Sequence, residues 1–169
     1  AGGHRPQLAR CSRCRGAPDR RPVHPPPAAW APGDGAIRVT AAAGGFGARL
    51  AAGDFVVTSE LVPPREADAG AVARSVEQLS FADALNITDL PRARPRVSAL
   101  AAAALAIGAG AEPILQMTSR DRNRIALAAD ALGAAALGVG AVLPLGGDPL
   151  PEGVPGKAVG DLDAGGLVQ

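Results

Sequence analysis

Large aromatic side chains are nearly missing from this 169-residue chain: three Phe, one Trp and no Tyr. With 47% hydrophobic residues there is still enough apolar material for a core, but it is a core of Ala, Val, Leu and Ile. Small side chains bury less area per residue, so such a core depends on close approach of its elements. Strong net charge is missing too. Seventeen basic residues face sixteen acidic ones, for a net charge of +1, so no field points to nucleic acid or a membrane surface. Of the basic residues 16 are Arg and one is Lys, a bias we read as a coding preference. No apolar run of 18 residues is free of glycine breaks and charges, and Ala99 to Ala111 is too short to span a bilayer. The first residues lack an apolar signal core, and a cytoplasmic protein is the expectation.

Metal and redox chemistry have little to work with. Cys11 and Cys14 form one Cys-x-x-Cys, whereas a structural zinc site needs four ligands, and His4 and His24 do not complete a zinc spacing. No βαβ pattern surrounds the pair, so it reads as incidental thiols and no metal site is expected. The fingerprints G-x-G-x-x-G, the P-loop and H-E-x-x-H are also missing. Gly44-Gly45-x-Gly47 precedes the first strand, the wrong side for a dinucleotide turn.

The chain divides in character near residue 45. Residues 1 to 40 hold seven Pro, seven Arg and two acids, with breakers such as PVHPPP and APGDG. This stretch buries too little to offset ordering entropy, so residues 1–45 are expected to be a disordered segment or linker. Beyond it the pattern changes to short apolar runs alternating with helical periods. Strands are expected at Phe55–Glu60, Ala84–Thr88, Ile114–Thr118 and Ala141–Leu145. A short helical turn at 47–52 precedes them. Helices are expected at Ala69–Leu79, capped by Asp68, at Ala99–Ile107, capped by Ser98, and from Arg122 to Leu137. The last should carry Ile125, Ala128, Ala129 and Leu132 on one face as its apolar stripe, and a further helix should start near Asp161–Asp163.

Each strand ends in a polar cluster: Glu60 in TSE, Thr88-Asp89 in NITD, Thr118 to Asp121 in TSRD, Asp148 in GGD. The steps from 60 to 88, 118 and 148 are 28, 30 and 30 residues, the length of a strand, a helix and two loops. Nearly continuous apolar strands at this spacing read as buried parallel strands. The fold class is therefore α/β, a partial (β/α)8 barrel of about four units over residues 46–169, with chemistry at the strands' carboxyl ends.

Two carboxylates stand out. Glu60 lies between an apolar run and Leu61-Val62-Pro63-Pro64. A carboxylate held against apolar walls retains a proton near neutral pH, while one at an open strand end is ordinary surface. Asp148 follows Gly146-Gly147, which is either a plain turn or a place where a flat ligand meets bare backbone. Arg120, Asp121, Arg122 and Arg124 read as ion pairs around a helix start.

The motifs SELVPPR (59–65), ADALNITDLPRAR (82–94), ILQMTSRDRNRIALAADALGAAALG (114–138) and LPLGGDP (143–149) resemble the methylenetetrahydrofolate reductase family, in order and spacing, over its first four β/α units. The wording is closest to the form fused to a homocysteine S-methyltransferase domain. The resemblance implies FAD as cofactor, NAD(P)H as reductant, and reduction of 5,10-methylenetetrahydrofolate to 5-methyltetrahydrofolate in one-carbon and methionine metabolism. It implies Glu60 as general acid and Asp148 as the carboxylate near flavin and folate, both catalytic and substrate-facing. It implies cofactor contacts from Thr88, Asp89, Gln116, Gly146, Gly147 and Asp148. Gln116 stands where some members carry His, and Gly146 where some carry Arg or Thr.

With four units instead of eight, the isolated chain is expected to be marginally stable and inactive. Two other readings are open: a non-catalytic half-barrel that pairs with a complementary chain or with itself, and a pterin-binding methyltransferase barrel.

Overall fold

Four parallel strands in the order β1-β2-β3-β4 form one sheet, and the helices between them gather on one of its faces. The computed structural model describes residues 45–154 and 156–168. The expected disordered segment, with Cys11 and Cys14, lies outside the described residues, except Gly45. The elements are α1 (Phe46–Ala52), β1 (Thr58–Leu61), α2 (Ala69–Gln78), β2 (Ala84–Ile87), α3 (Ala99–Gly108), β3 (Pro113–Thr118), α4 (Arg124–Ala136) and β4 (Ala141–Leu145). This is the α/β, parallel, sequential arrangement of part of a (β/α)8 barrel. Among the described residues no helix is long and apolar enough to cross a membrane.

Local chemistry sets the helix starts. Asp68, Ser98 and Asn123 each accept a hydrogen bond from a backbone N–H three residues on, at Ala71, Ala101 and Ala126. Each satisfies one of the orphan donors of a first helical turn. The Asn123 cap moves the start of α4 to Arg124, two residues later than the sequence suggests.

The strand register places Leu61, Ile87, Leu115 and Val142 side by side. The first three are buried and Val142 packs against the same cluster. Val72 and Val76 of α2, four alanines of α3, and Leu127 and Ala134 of α4 cover this row. The alanines explain how a chain poor in aromatics closes a core: α3 lies tightly against the sheet with Ala99, Ala102, Ala103 and Ala106 buried. Packing between α3 and α4 is also tight, since a Cβ on Gly133 would stand 3.3 Å from Leu100 Cδ2.

Three expectations are corrected. β1 begins at Thr58, not Phe55: its ladder with β2 starts at Thr58 opposite Ala84, and just before it Val57 is tied to Asp83, whose N–H donates to Val57 O at 2.8 Å and whose carboxylate takes the Val57 N–H. Phe55 is left 87% exposed. The inward face of α4 is Leu127, Ala131 and Ala134, while Ile125 is 76% exposed and Ala128, Ala129 and Leu132 also face outward. The helix carries apolar residues on both sides, so periodicity alone did not select the face that meets α3. Residues 164–167 form turns, with Gly166 N–H bonded to Asp163 Oδ1, and not a helix.

At the amino ends of the strands α1 is held by polar ties. Asp83 accepts from Arg49 Nη1 and from Val57 N–H, each at 2.7 Å, and Glu112 accepts from Phe46 N–H. The Arg49 hydrogen bond, followed by that of Val57, holds the Asp83 carboxyl below its ordinary pKa. A depressed folded-state pKa gives stability that is complete above the unfolded value of about 3.9 and is lost as pH falls through the folded value. Thermal melts of wild type and Asp83→Asn should therefore differ by a constant amount from about pH 5 to about pH 7, and the gap should close below about pH 4.

Candidate functional site

Each strand's carboxyl end is tied to the next, and the ties come from the polar clusters. Thr88 N–H donates to Leu61 O at 3.0 Å, and Ser119 N–H to Leu145 O at 2.9 Å. Between them stands Asp89, whose side chain is fully buried. One of its oxygens accepts from Thr118 N–H and Arg122 Nη1, the other from Arg122 Nη2, all at 2.8 Å. Burial works against the Arg122 charge, but the hydrogen bonds and charge of Asp89, helped by Asp130 and Asp121, outweigh it and raise the pKa of the guanidinium. Both oxygens of Asp89 are thus engaged by protein.

The other sheet face carries the remaining site residues. Leu61, Ile87, Leu115 and Met117 point to the helices, so alternation sends Glu60, Asn86, Thr88, Gln116 and Leu143 the opposite way. Glu60 is beside Asn86 in register. Continuing the β2–β3 pairing of Ile87 with Leu115 places Thr88 beside Gln116, which pairs with Leu143. Neighbouring strands lie about 4.8 Å apart, so these side chains form two adjacent rows. Thr88 is buried, Gln116 half-buried and Glu60 exposed. The apolar walls that would press on Glu60 are not supplied by the described residues: it stands at an open strand end.

The loop after β4 folds onto the loop after β2. Asp148 Oδ2 accepts the Arg92 N–H at 2.7 Å, and Asp148 O accepts from Arg120 Nη1 at 2.9 Å. Gly147 has φ +85°, and a Cβ there would collide with Thr118 Cγ2 and stand 3.1 Å from Arg120 Cβ. Beside Gly146 there is nothing within 4 Å of a built Cβ, so that stretch of backbone is bare. The structure thus brings Glu60, Thr88 and Gln116 to one face and puts Gly146 and Asp148 on its rim.

A protein-family model, methylenetetrahydrofolate reductase, matches residues 46–165, from the first turn of α1 into the turns after β4. The chain belongs to the methylenetetrahydrofolate reductase family. A search of curated proteins finds no match. The family is folate-reducing and generally flavin-dependent, and in (β/α) barrels chemistry occurs at the carboxyl ends of the strands.

Sequence reasoning missed two features of this rim. Leu90, Arg92 and Ala93 all have positive φ, at 48°, 57° and 53°. Their only signal was Pro91 and Pro95, which read as a plain loop. Arg120 is 7% exposed and joins three loops, although an Arg-Asp pair before a helix looks like surface. Of the expected pairs around the helix start, Arg120 does bind Asp121, but Arg122 reaches Asp89 and Asp130 and Arg124 reaches Asp161.

Three substitutions check this geometry by denaturant unfolding. Gly147→Ala should cost about 2–4 kcal/mol, from left-handed backbone plus the collision, while Gly146→Ala should cost under about 1 kcal/mol. Arg122→Met leaves the buried Asp89 unpaired and should cost about 3–5 kcal/mol.

Proposed function

We propose that this chain carries the flavin-facing first half of a methylenetetrahydrofolate reductase, the cytoplasmic enzyme that reduces 5,10-methylenetetrahydrofolate to 5-methyltetrahydrofolate with FAD and NAD(P)H. The observation that carries the proposal is the row of Thr88 and Gln116 beside Glu60 on the open sheet face, with Gly146 and Asp148 on its rim. The donor set fits a flat heteroaromatic ring. The Gln116 amide is both donor and acceptor, the Thr88 Oγ1, whose hydrogen is directed at Leu61 O at 3.5 Å, is an acceptor beside it, and the Gly146 backbone can be approached closely. Thr88 and Gln116 hold the ring edge. Asp89 and Gly147 act by shaping the backbone, since the Asp89 carboxylate is engaged and the Cβ space of Gly147 is filled.

When bound, FAD would supply the hydride, drawn from NAD(P)H. The residues of the chain do the rest. Glu60 delivers a proton to the folate imidazolidine ring as it opens, leaving the iminium carbon that accepts hydride. Asp148 places negative charge beside the positive charge that develops there. Its second oxygen is available for this, because the Arg92 N–H occupies only Oδ2.

The sheet of the described residues has β1 and β4 at its edges, and α4 exposes Ile125 and Leu132. These surfaces fit four further β/α units, in the same polypeptide or in a partner chain. Without them the open face covers a ring from one side only.

Quenching of FAD fluorescence tests the reading. The 169-residue chain should quench FAD, and Thr88→Val or Gln116→Ala should weaken binding about 3- to 10-fold, the worth of one hydrogen bond. No NAD(P)H turnover should accompany binding. Absence of quenching by wild type contradicts the cofactor face, and turnover by these residues alone contradicts the need for the second half.

A further inference from the structure

Arg120 is the most connected side chain at the rim, and neither proton transfer nor ring binding uses it. Asp121 fixes its guanidinium from one side, accepting from Nε at 2.8 Å and again from Nη2. The remaining donors are aimed at main-chain carbonyls: Nη1 at Asp148 O, 2.9 Å away, and Nη2 at Leu90 O, 3.4 Å away. The Arg120 carbonyl accepts the Val159 N–H at 2.8 Å, so the segment after β4 is fixed to the same residue. Gly147 packs on its Cβ.

Arg120 thus touches both sides of the Asp148–Arg92 contact. Asp148 Oδ2 holds the Arg92 N–H, and Arg92 sits between Leu90 and Ala93 in a turn where three side-chain-bearing residues take positive φ. Such backbone is uphill for non-glycine residues and persists where the surroundings over-determine it. Here the surroundings are Arg120 on the Leu90 carbonyl, Asp148 on the Arg92 N–H, and the Ala93 N–H to Leu90 O bond at 3.0 Å.

We propose that Arg120 is the positioning residue that locks Asp148 and the Leu90–Ala93 turn into one unit, setting where the Asp148 carboxylate points. The proposal rests on the reading of Asp148 as the rim carboxylate that faces folate and flavin. The task needs arginine. Its rigid fork offers five donors in one plane, whereas a lysine ammonium is a single point that cannot serve Asp121, Asp148 and Leu90 in this geometry.

Amide hydrogen exchange of the 169-residue chain, read residue by residue by NMR, tests the lock without any cofactor. In Arg120→Lys the Arg92 amide should exchange at least about 10-fold faster, while amides in the middle of α3 change by less than about 2-fold. Asp121→Asn, which leaves Arg120 in place but loosens it, should move Arg92 in the same direction by less, and it carries the test if Arg120→Lys fails to fold. Unchanged Arg92 exchange in the folded variants overturns the proposal. FAD affinity gives the second readout: Arg120→Lys and Asp148→Ala should each weaken binding, and the double variant should be no weaker than the worse single. Additive losses overturn the proposal. A faster Arg92 exchange in a chain that binds no FAD upholds the lock and sinks the flavin reading, so the two failures are distinguishable.

Discussion

A buried carboxylate holds the working end of this sheet together. Asp89 accepts the Thr118 N–H from the next strand and both terminal nitrogens of Arg122. Isolated, a buried carboxylate would be costly; paired and fully hydrogen-bonded, it becomes a fixed joint between the ends of β2 and β3. Because Thr118 is fixed, Gly147 has a surface to pack on. Because Ser119 follows, its N–H takes the Leu145 carbonyl and sets the start of the loop after β4. The rim that carries Asp148 is therefore built outward from Asp89.

The core and the open face divide the labour. On the helix side, small residues let α3 lie close to the sheet, so a chain with almost no aromatic residues still packs. On the other side alternation leaves Glu60, Asn86, Thr88 and Gln116 in adjacent rows, polar groups that a packed core would exclude. We propose that face for the chemistry of the family to which the chain belongs. The proposed division of roles is Glu60 for proton delivery, the Thr88–Gln116 pair for the ring, and Asp148 at the rim for charge.

Much of this was legible in the residues, for physical reasons. β3 and β4 are short apolar runs bounded by turn residues, so they read almost to their observed bounds. Caps need a side-chain oxygen, so Asp68 and Ser98 were visible. What failed was what depends on tertiary partners. α4 carries apolar residues on both sides, and only its tertiary packing distinguishes the buried Leu127 from the exposed Ile125. The start of β1 depends on where β2 begins, which no local pattern in Phe55–Val57 reveals. The reach of Arg120 was hidden as well: it read as one of the ion pairs around a helix start, because the carbonyls it binds belong to two other loops.

Amide chemical-shift mapping of the 169-residue chain during FAD addition tests the central claim most directly. The account predicts saturable shifts concentrated at Glu60, Thr88, Gln116, Gly146 and Asp148, with the helix-side row of Leu61, Ile87 and Leu115 nearly still. Shifts confined to the helix side, or none at all, would contradict it.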